Sequence, residues 1–173
     1  REPNYAEALT MRGWLYRRLG RWAEMLVAFA RAVELNPRHP DVLEGAGQAA
    51  AWVRRYAGAA RCYDRAVAAA PENPDYAAGR AIHEINWHGD LAPLREVVRR
   101  AEATDLSTRR QWSWNLAQYE GRFDDLDAIV SQWAPEMMDG GGGVKVSRAL
   151  FTAYHAWLRA DRERARQAAA TSS

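Results

Sequence analysis

Among 173 residues there is one cysteine, Cys62, and one lysine, Lys145. A lone thiol cannot form an internal disulfide, which fits a reducing, cytoplasmic setting. Valine, isoleucine and threonine together number only 18, too few for an all-β protein, because strands favour β-branched side chains. No apolar run approaches the roughly 20 residues of a membrane span. Charge of one sign is missing too, since 24 basic residues meet 22 acidic ones for a net +2. Nucleic-acid binders depend on clustered, unbalanced positive charge, so that class is disfavoured. The opening Arg1-Glu2-Pro3 has neither a methionine nor an apolar leader, and a piece of a longer protein is expected.

What is abundant is alanine, 34 times, and arginine, 23 times. With leucine and glutamate these are good helix formers, and the composition points to an all-helical protein. The chain also repeats itself. Pro3, Pro37 and Pro71 are spaced by 34 residues, and on that shift Gly13 falls on Gly47, Phe29 on Tyr63 and Ala32 on Ala66. Each window reads as two helices. Asn4 with Glu7 is a capping-box variant at the start of the first. Gly20 ends it. The second spans about Trp22 to Leu35 and stops before Pro37, because the residue before proline avoids the helical region. Asn73-Pro74-Asp75 restarts the pattern with a cap and a proline at the first helical position.

The residues Leu9, Arg12, Gly13, Tyr16, Met25, Phe29 and Pro37, then Leu43, Ala46, Gly47, Ala50, Ala59, Tyr63 and Pro71, resemble the tetratricopeptide repeat, whose unit is 34 residues long. A small residue there lets the paired helices approach closely, and aromatics fill the space between them. The third unit has Ala81 in place of the glycine and an extra residue before Gly89-Asp90. In the fourth, Gln118-Tyr119-Glu120-Gly121-Arg122-Phe123 imitates the first turn, but Trp114 stands at the small position. A fifth is suggested by Leu158-Arg159-Ala160-Asp161-Arg162-Glu163-Arg164-Ala165. The units expected are 5–38, 39–72, 73–106, 107–139 and a degenerate 144–173, in one domain. The resemblance implies an all-α, right-handed α-solenoid with a concave groove lined mainly by the first helix of each pair.

Spacings of three and four keep residues on one helical face. The groove face holds Glu7, Thr10, Trp14, Arg17 and Arg18, then Asp41, Glu44, Gln48 and Trp52, then Asp75 and Asn86, then Gln111, Trp112, Asn115, Gln118 and Tyr119, with Tyr154 and Trp157 in the fifth unit. Tryptophan, tyrosine and arginine carry most interface energy, so these positions can anchor a partner; alternatively the tryptophans are inter-repeat packing. Some family members clamp a C-terminal carboxylate. Here the corresponding positions are Met11, Gly45 and Gly79, with Asp75 nearby, and no cation meets the carboxylate.

Several patterns imitate chemistry. His83-Glu84-Ile85-Asn86-Trp87-His88 is one residue longer than the zinc-binding motif, and five residues apart places the histidines about 140° apart on a helix. Gly140–Gly143 lacks the lysine-hydroxyl pair of a phosphate loop and reads as a flexible connector. Cys62 reads as a buried structural thiol. Arg95, Arg99 and Arg100, and Arg159, Arg162, Arg164 and Arg166, interleave with Glu96, Glu102, Asp161 and Glu163 as solvated helix faces. Asp124, Asp125 and Asp127 suit a helix start, where negative charge is favourable.

The expectation is a non-catalytic protein-interaction module without a cofactor. It binds a protein or peptide through Glu7, Trp14, Arg17, Gln48, Trp52, Asn86, Gln111, Asn115 and Tyr119, with Trp14 and Trp52 as anchors. The runner-up is a self-associating or regulatory module of a larger signalling or transcription-regulating protein, a homo-oligomer. A metal-dependent hydrolase is a remote third.

Overall fold

A computed structural model describes residues 5–101, 106–131, 138–139, 145–146 and 148–171. The chain divides into two compact units, Arg1–Val97 and Val98–Ser173. The architecture is all-α, built from stacked helix-turn-helix pairs, as the sequence suggests.

In the first unit α1 (Tyr5–Arg18) pairs with α2 (Trp22–Leu35), α3 (Pro40–Trp52) pairs with α4 (Tyr56–Ala69), and α5 (Pro74–His88) stacks on them. α6 (Ala92–Ala101) follows. The expected ends of α2 are met. Asn73 caps α5, its side chain accepting from the Asp75 backbone N–H, with Pro74 in the first turn. Between α1 and α2 the chain turns through Gly20 at φ +69°. One repeat later the same turn position is Arg54, at φ +59°. L-residues enter that left-handed region at a cost that glycine avoids.

The unit's core is a row of aromatic wedges. A Cβ on Gly13 would lie 2.6 Å from the Phe29 ring, and one on Gly45 would lie 2.6 Å from its other edge. Phe29 is thus held between a glycine of its own pair and one of the next. Tyr63 repeats the arrangement between Gly47 and Gly79. Met25, Ala49, Leu43, Ala66 and Tyr76 complete the buried layers. The two glycines read as groove positions for a carboxylate clamp, Gly45 and Gly79, therefore belong to the stacking face instead.

In the second unit α7 (Leu106–Tyr119), α8 (Leu126–Ser131) and α9 (Arg148–Thr171) pack together, α8 touching both its neighbours. β1 (Met138–Asp139) and β2 (Lys145–Val146) form one short antiparallel pairing. Gly121, at φ +68°, ends α7 as the imitation of the first turn implies. α9 runs unbroken through Leu158-Arg159-Ala160. All five residues from Leu158 to Arg162 are leucine, arginine, alanine or aspartate, with no glycine or proline to stop a helix. The Gly140–Gly143 connector and the Asn4 cap lie outside the described residues.

Candidate functional site

On the first unit, the two expected anchors, Trp14 and Trp52, meet together with Arg17. Trp14 reaches across from α1 to Trp52 on α3, ring centroids 5.5 Å apart and edge to face. The Arg17 guanidinium lies 4.3 Å over the Trp52 ring and 5.9 Å from that of Trp14. Such stacking contributes about 0.5–2 kcal/mol, depending on solvent exposure. Arg17 Nε is buried with no hydrogen-bond partner. Trp14 also packs edge-on against Phe29 at 4.8 Å and belongs to the core margin, whereas Trp52 keeps 37% of its surface exposed.

Along α3 the spacing Asp41, Glu44, Gln48, Trp52 continues that face towards an acidic end. Glu44 is the residue whose importance the sequence pattern understated. Burial, with the neighbouring charges of Asp41 and Asp75, pushes its carboxyl up to about 7. The Tyr76 hydroxyl donates to Asp41. Gln48 is half-buried between the acidic end and the aromatic end, while Glu7 and Asn86 are exposed. In the second unit Gln111, Asn115 and Tyr119 share one face of α7 by their spacing of four.

The decoy histidines part company. His83 is buried against Tyr63, ring centroids 4.6 Å apart, with both ring nitrogens unpartnered. Burial and the charge of Arg80 lower its pKa to about 4. His88 is exposed and meets Glu84, which also accepts from Arg80 at 2.7 Å. Among the described residues no group of three or more His, Cys, Asp and Glu is placed to hold a metal. Cys62 is half-buried, and burial raises its thiol pKa.

A polar network in the second unit has no counterpart in the sequence reading. His155 is fully buried. The Trp114 indole N–H donates to His155 Nε2 at 2.8 Å. Nε2 is then the acceptor, so Nδ1 carries the proton and donates to Asp127 at 2.8 Å. Arg159 donates to the other Asp127 oxygen at 2.7 Å. Burial opposes ionisation of Asp127, but the hydrogen bonds from His155 and Arg159 outweigh it and lower its pKa. Asp127 is thus a tertiary partner, not merely a helix-start charge. Arg159 and Arg162 are likewise half-buried tertiary partners: Arg162 donates to the Gly121 carbonyl at 2.9 Å.

Paired helices with glycine-aromatic wedges between them define a helical repeat protein. A tetratricopeptide repeat model matches residues 6–49 of the chain. No curated protein matches the chain. Among solved structures it is similar to a tetratricopeptide repeat protein of Parabacteroides merdae, at 20% identity and TM-score 0.54 over 76% of this chain and 52% of that one. TTC0263, a thermophilic protein of this class from Thermus thermophilus, aligns at 18% identity and TM-score 0.57 over 73% of this chain and 72% of that one. A chain of the Naa15/Naa10 complex bound to HypK-THB aligns at 13% identity and TM-score 0.50, covering 75% of this chain and 20% of that one. The chain thus spans about half the length of the Parabacteroides protein. Among the described residues no helix is long and apolar enough to cross a membrane.

Proposed function

We propose that the chain is a non-catalytic docking module that holds a partner segment along the α1–α3 face of its first unit. The observation that carries the reading is the half-exposed Trp52 ring, stacked under Arg17 and braced by Trp14. A flat aromatic surface already ordered by its neighbours loses little side-chain entropy on binding. The acidic end at Asp41, Glu44 and Asp75 gives the face a direction. A partner that fits presents an apolar or aromatic side chain to Trp52 and a lysine or arginine to Glu44. Gln48 lies between and can accept or donate to the partner backbone. Glu7 and Asn86 flank this face as polar rim, and Gln111, Asn115 and Tyr119 offer a separate polar face on the second unit. The similarity to a structure of a bound complex supports a protein partner as the ligand class.

Selection of a displayed random-peptide library on the immobilised protein tests this. Enriched peptides should pair a basic residue with an aromatic or large apolar one. Trp52→Ala should weaken them at least tenfold with helical circular dichroism unchanged, and Glu44→Gln should weaken those with the basic residue selectively. Enriched peptides that bind Trp52→Ala as well as the original chain would overturn the reading.

A further inference from the structure

Two of the turns that join paired helices hold an arginine together with its counter-charge. Between α1 and α2, Arg21 pairs with Glu24 at 2.7 Å. After α7, Arg122 pairs in the same way with Asp125, three residues on, and also with Glu120. The turn between α3 and α4 departs from this pattern twice. Arg55 stands where Arg21 stands one repeat earlier, but the residue three further on is Gly58. Arg54 stands where Gly20 stands, and it keeps the left-handed conformation. One acid is lost and one cation gained. Both arginines are exposed, and among the described residues neither has an acidic partner. Their side chains are not needed to close the turn. The backbone N–H groups of Arg54 and Arg55 do so, donating to the Ala51 carbonyl at 2.8 Å and the Ala50 carbonyl at 2.9 Å.

The turn directly follows Trp52, the last residue of α3. The Arg17 guanidinium, 4.3 Å over that ring, likewise has no acidic partner among the described residues. Glu44 lies eight residues back along the same stripe of α3, about 12 Å away at the helical rise. It has no basic partner among the described residues. The face thus carries an uncompensated acid at one end and uncompensated cations at the other, with the Trp52 ring beside the cations.

Resting on the docking reading above, we infer that the partner is a protein segment with charges of both signs, its acidic side chain held by Arg54 and Arg55, its basic one by Glu44, and its apolar anchor between them on Trp52. An extended segment covers about 12 Å in four residues. The basic residue therefore lies about four positions from the anchor, and the acidic one just beyond the anchor on the other side. Charge complementarity selects this occupant. An anionic lipid surface or a nucleic-acid strand is negative throughout and is repelled at the Asp41 and Glu44 end. A segment of mixed charge satisfies both ends at once.

Peptides selected on the immobilised protein, measured by fluorescence anisotropy, test the inference. They should carry a basic, an apolar and an acidic residue in that order, in either chain direction. Gly58→Glu recreates at the second turn the counter-charge that Arg21 has at the first. It should weaken such peptides about threefold to fivefold, the usual effect of one exposed ion pair. Gly58→Ala should leave them unchanged. Arg54→Glu combined with Arg55→Glu should invert the preference, so that replacing the acidic residue of the peptide by lysine improves binding while its original basic residue stays required. Helical circular dichroism should be unchanged in every variant. Peptides that depend on Trp52 but lack an acidic residue, or that bind the reversed chain as well as the original, would overturn the inference and leave the docking face standing. So would retention of the protein on phosphatidylserine vesicles or a single-stranded oligonucleotide that the same double substitution abolishes. Peptides indifferent to Trp52→Ala would overturn the docking reading and this inference with it.

Discussion

The Phe29 ring of α2 lies against Gly45 of α3 so closely that a Cβ there would sit 2.6 Å from its edge. The distance is well inside van der Waals contact, and the opposing ring edge is already held by Gly13. The ring cannot retreat. Gly45→Ala should therefore destabilise the first unit by about 1–3 kcal/mol, the usual cost of overpacking a filled core. Urea denaturation followed by circular dichroism measures it. The control is Gly58→Ala on α4, whose nearest surrounding atom to an added Cβ is a flexible arginine terminus at 3.9 Å; it should gain helix propensity and lose nothing.

Arg54 occupies the left-handed turn position that Gly20 occupies one repeat earlier, at φ +59° against +69°. A non-glycine residue there carries about 1–2 kcal/mol of strain. Glycine relieves it but loses about 0.5–1 kcal/mol more unfolded-state freedom. Arg54→Gly should consequently raise stability by up to about 1 kcal/mol, read as a shift in the denaturation midpoint at constant slope. A fall in stability would show that the Arg54 side chain contributes more than its backbone costs.

Much of the first unit was visible before any coordinates, and the reason is its period. A 34-residue repeat with prolines at Pro37 and Pro71 fixes helix ends to within a residue, and spacing on α1 and α3 was enough to bring Trp14, Arg17 and Trp52 to one place. What the pattern did not reveal was the neighbour of each glycine. Gly45 and Gly79 have no side chain to declare which face they serve, and only the Phe29 and Tyr63 rings against them show that it is the stacking face. The second unit lacks the period, so its polar network stayed hidden. Trp114 and His155 are 41 residues apart, and His155 and Asp127 are 28 apart. No local spacing announces such a contact.

Glu44 and His83 make opposite contributions to stability in overlapping ranges of pH. Glu44 titrates in the folded chain at about 7 against an ordinary 4.5. Its contribution is present in full below pH 4.5 and is lost as pH rises towards 7. His83 titrates at about 4 against an ordinary 6.5. Its contribution is present above pH 6.5 and is lost as pH falls towards 4. In the original chain the two slopes largely cancel between these limits. Single substitutions should expose each one. Glu44→Gln should lose stability on acidification from pH 7 to 4.5, and His83→Leu should gain it. Comparing each variant with itself across pH removes any packing difference, and thermal melts at a few pH values suffice. Parallel profiles for both variants would show that neither group titrates as its surroundings dictate.

His155 holds α7, α8 and α9 together through two hydrogen bonds at opposite ends of one buried ring. Removing the ring in His155→Ala leaves the Trp114 indole N–H without its acceptor and opens a cavity at a fully buried position. Asp127 retains Arg159, so its charge stays paired. The stranded donor and the cavity together should cost about 2–4 kcal/mol. His155→Gln presents a carbonyl oxygen and an amide N–H on a side chain of similar reach, and should recover part of the loss. Amide hydrogen exchange locates the effect. Protection should fall across α7–α9 in His155→Ala and remain unchanged in α1–α4, because every partner of His155 named above lies beyond Val97. Equal loss in both units would show that His155 supports the whole chain and not its second unit alone.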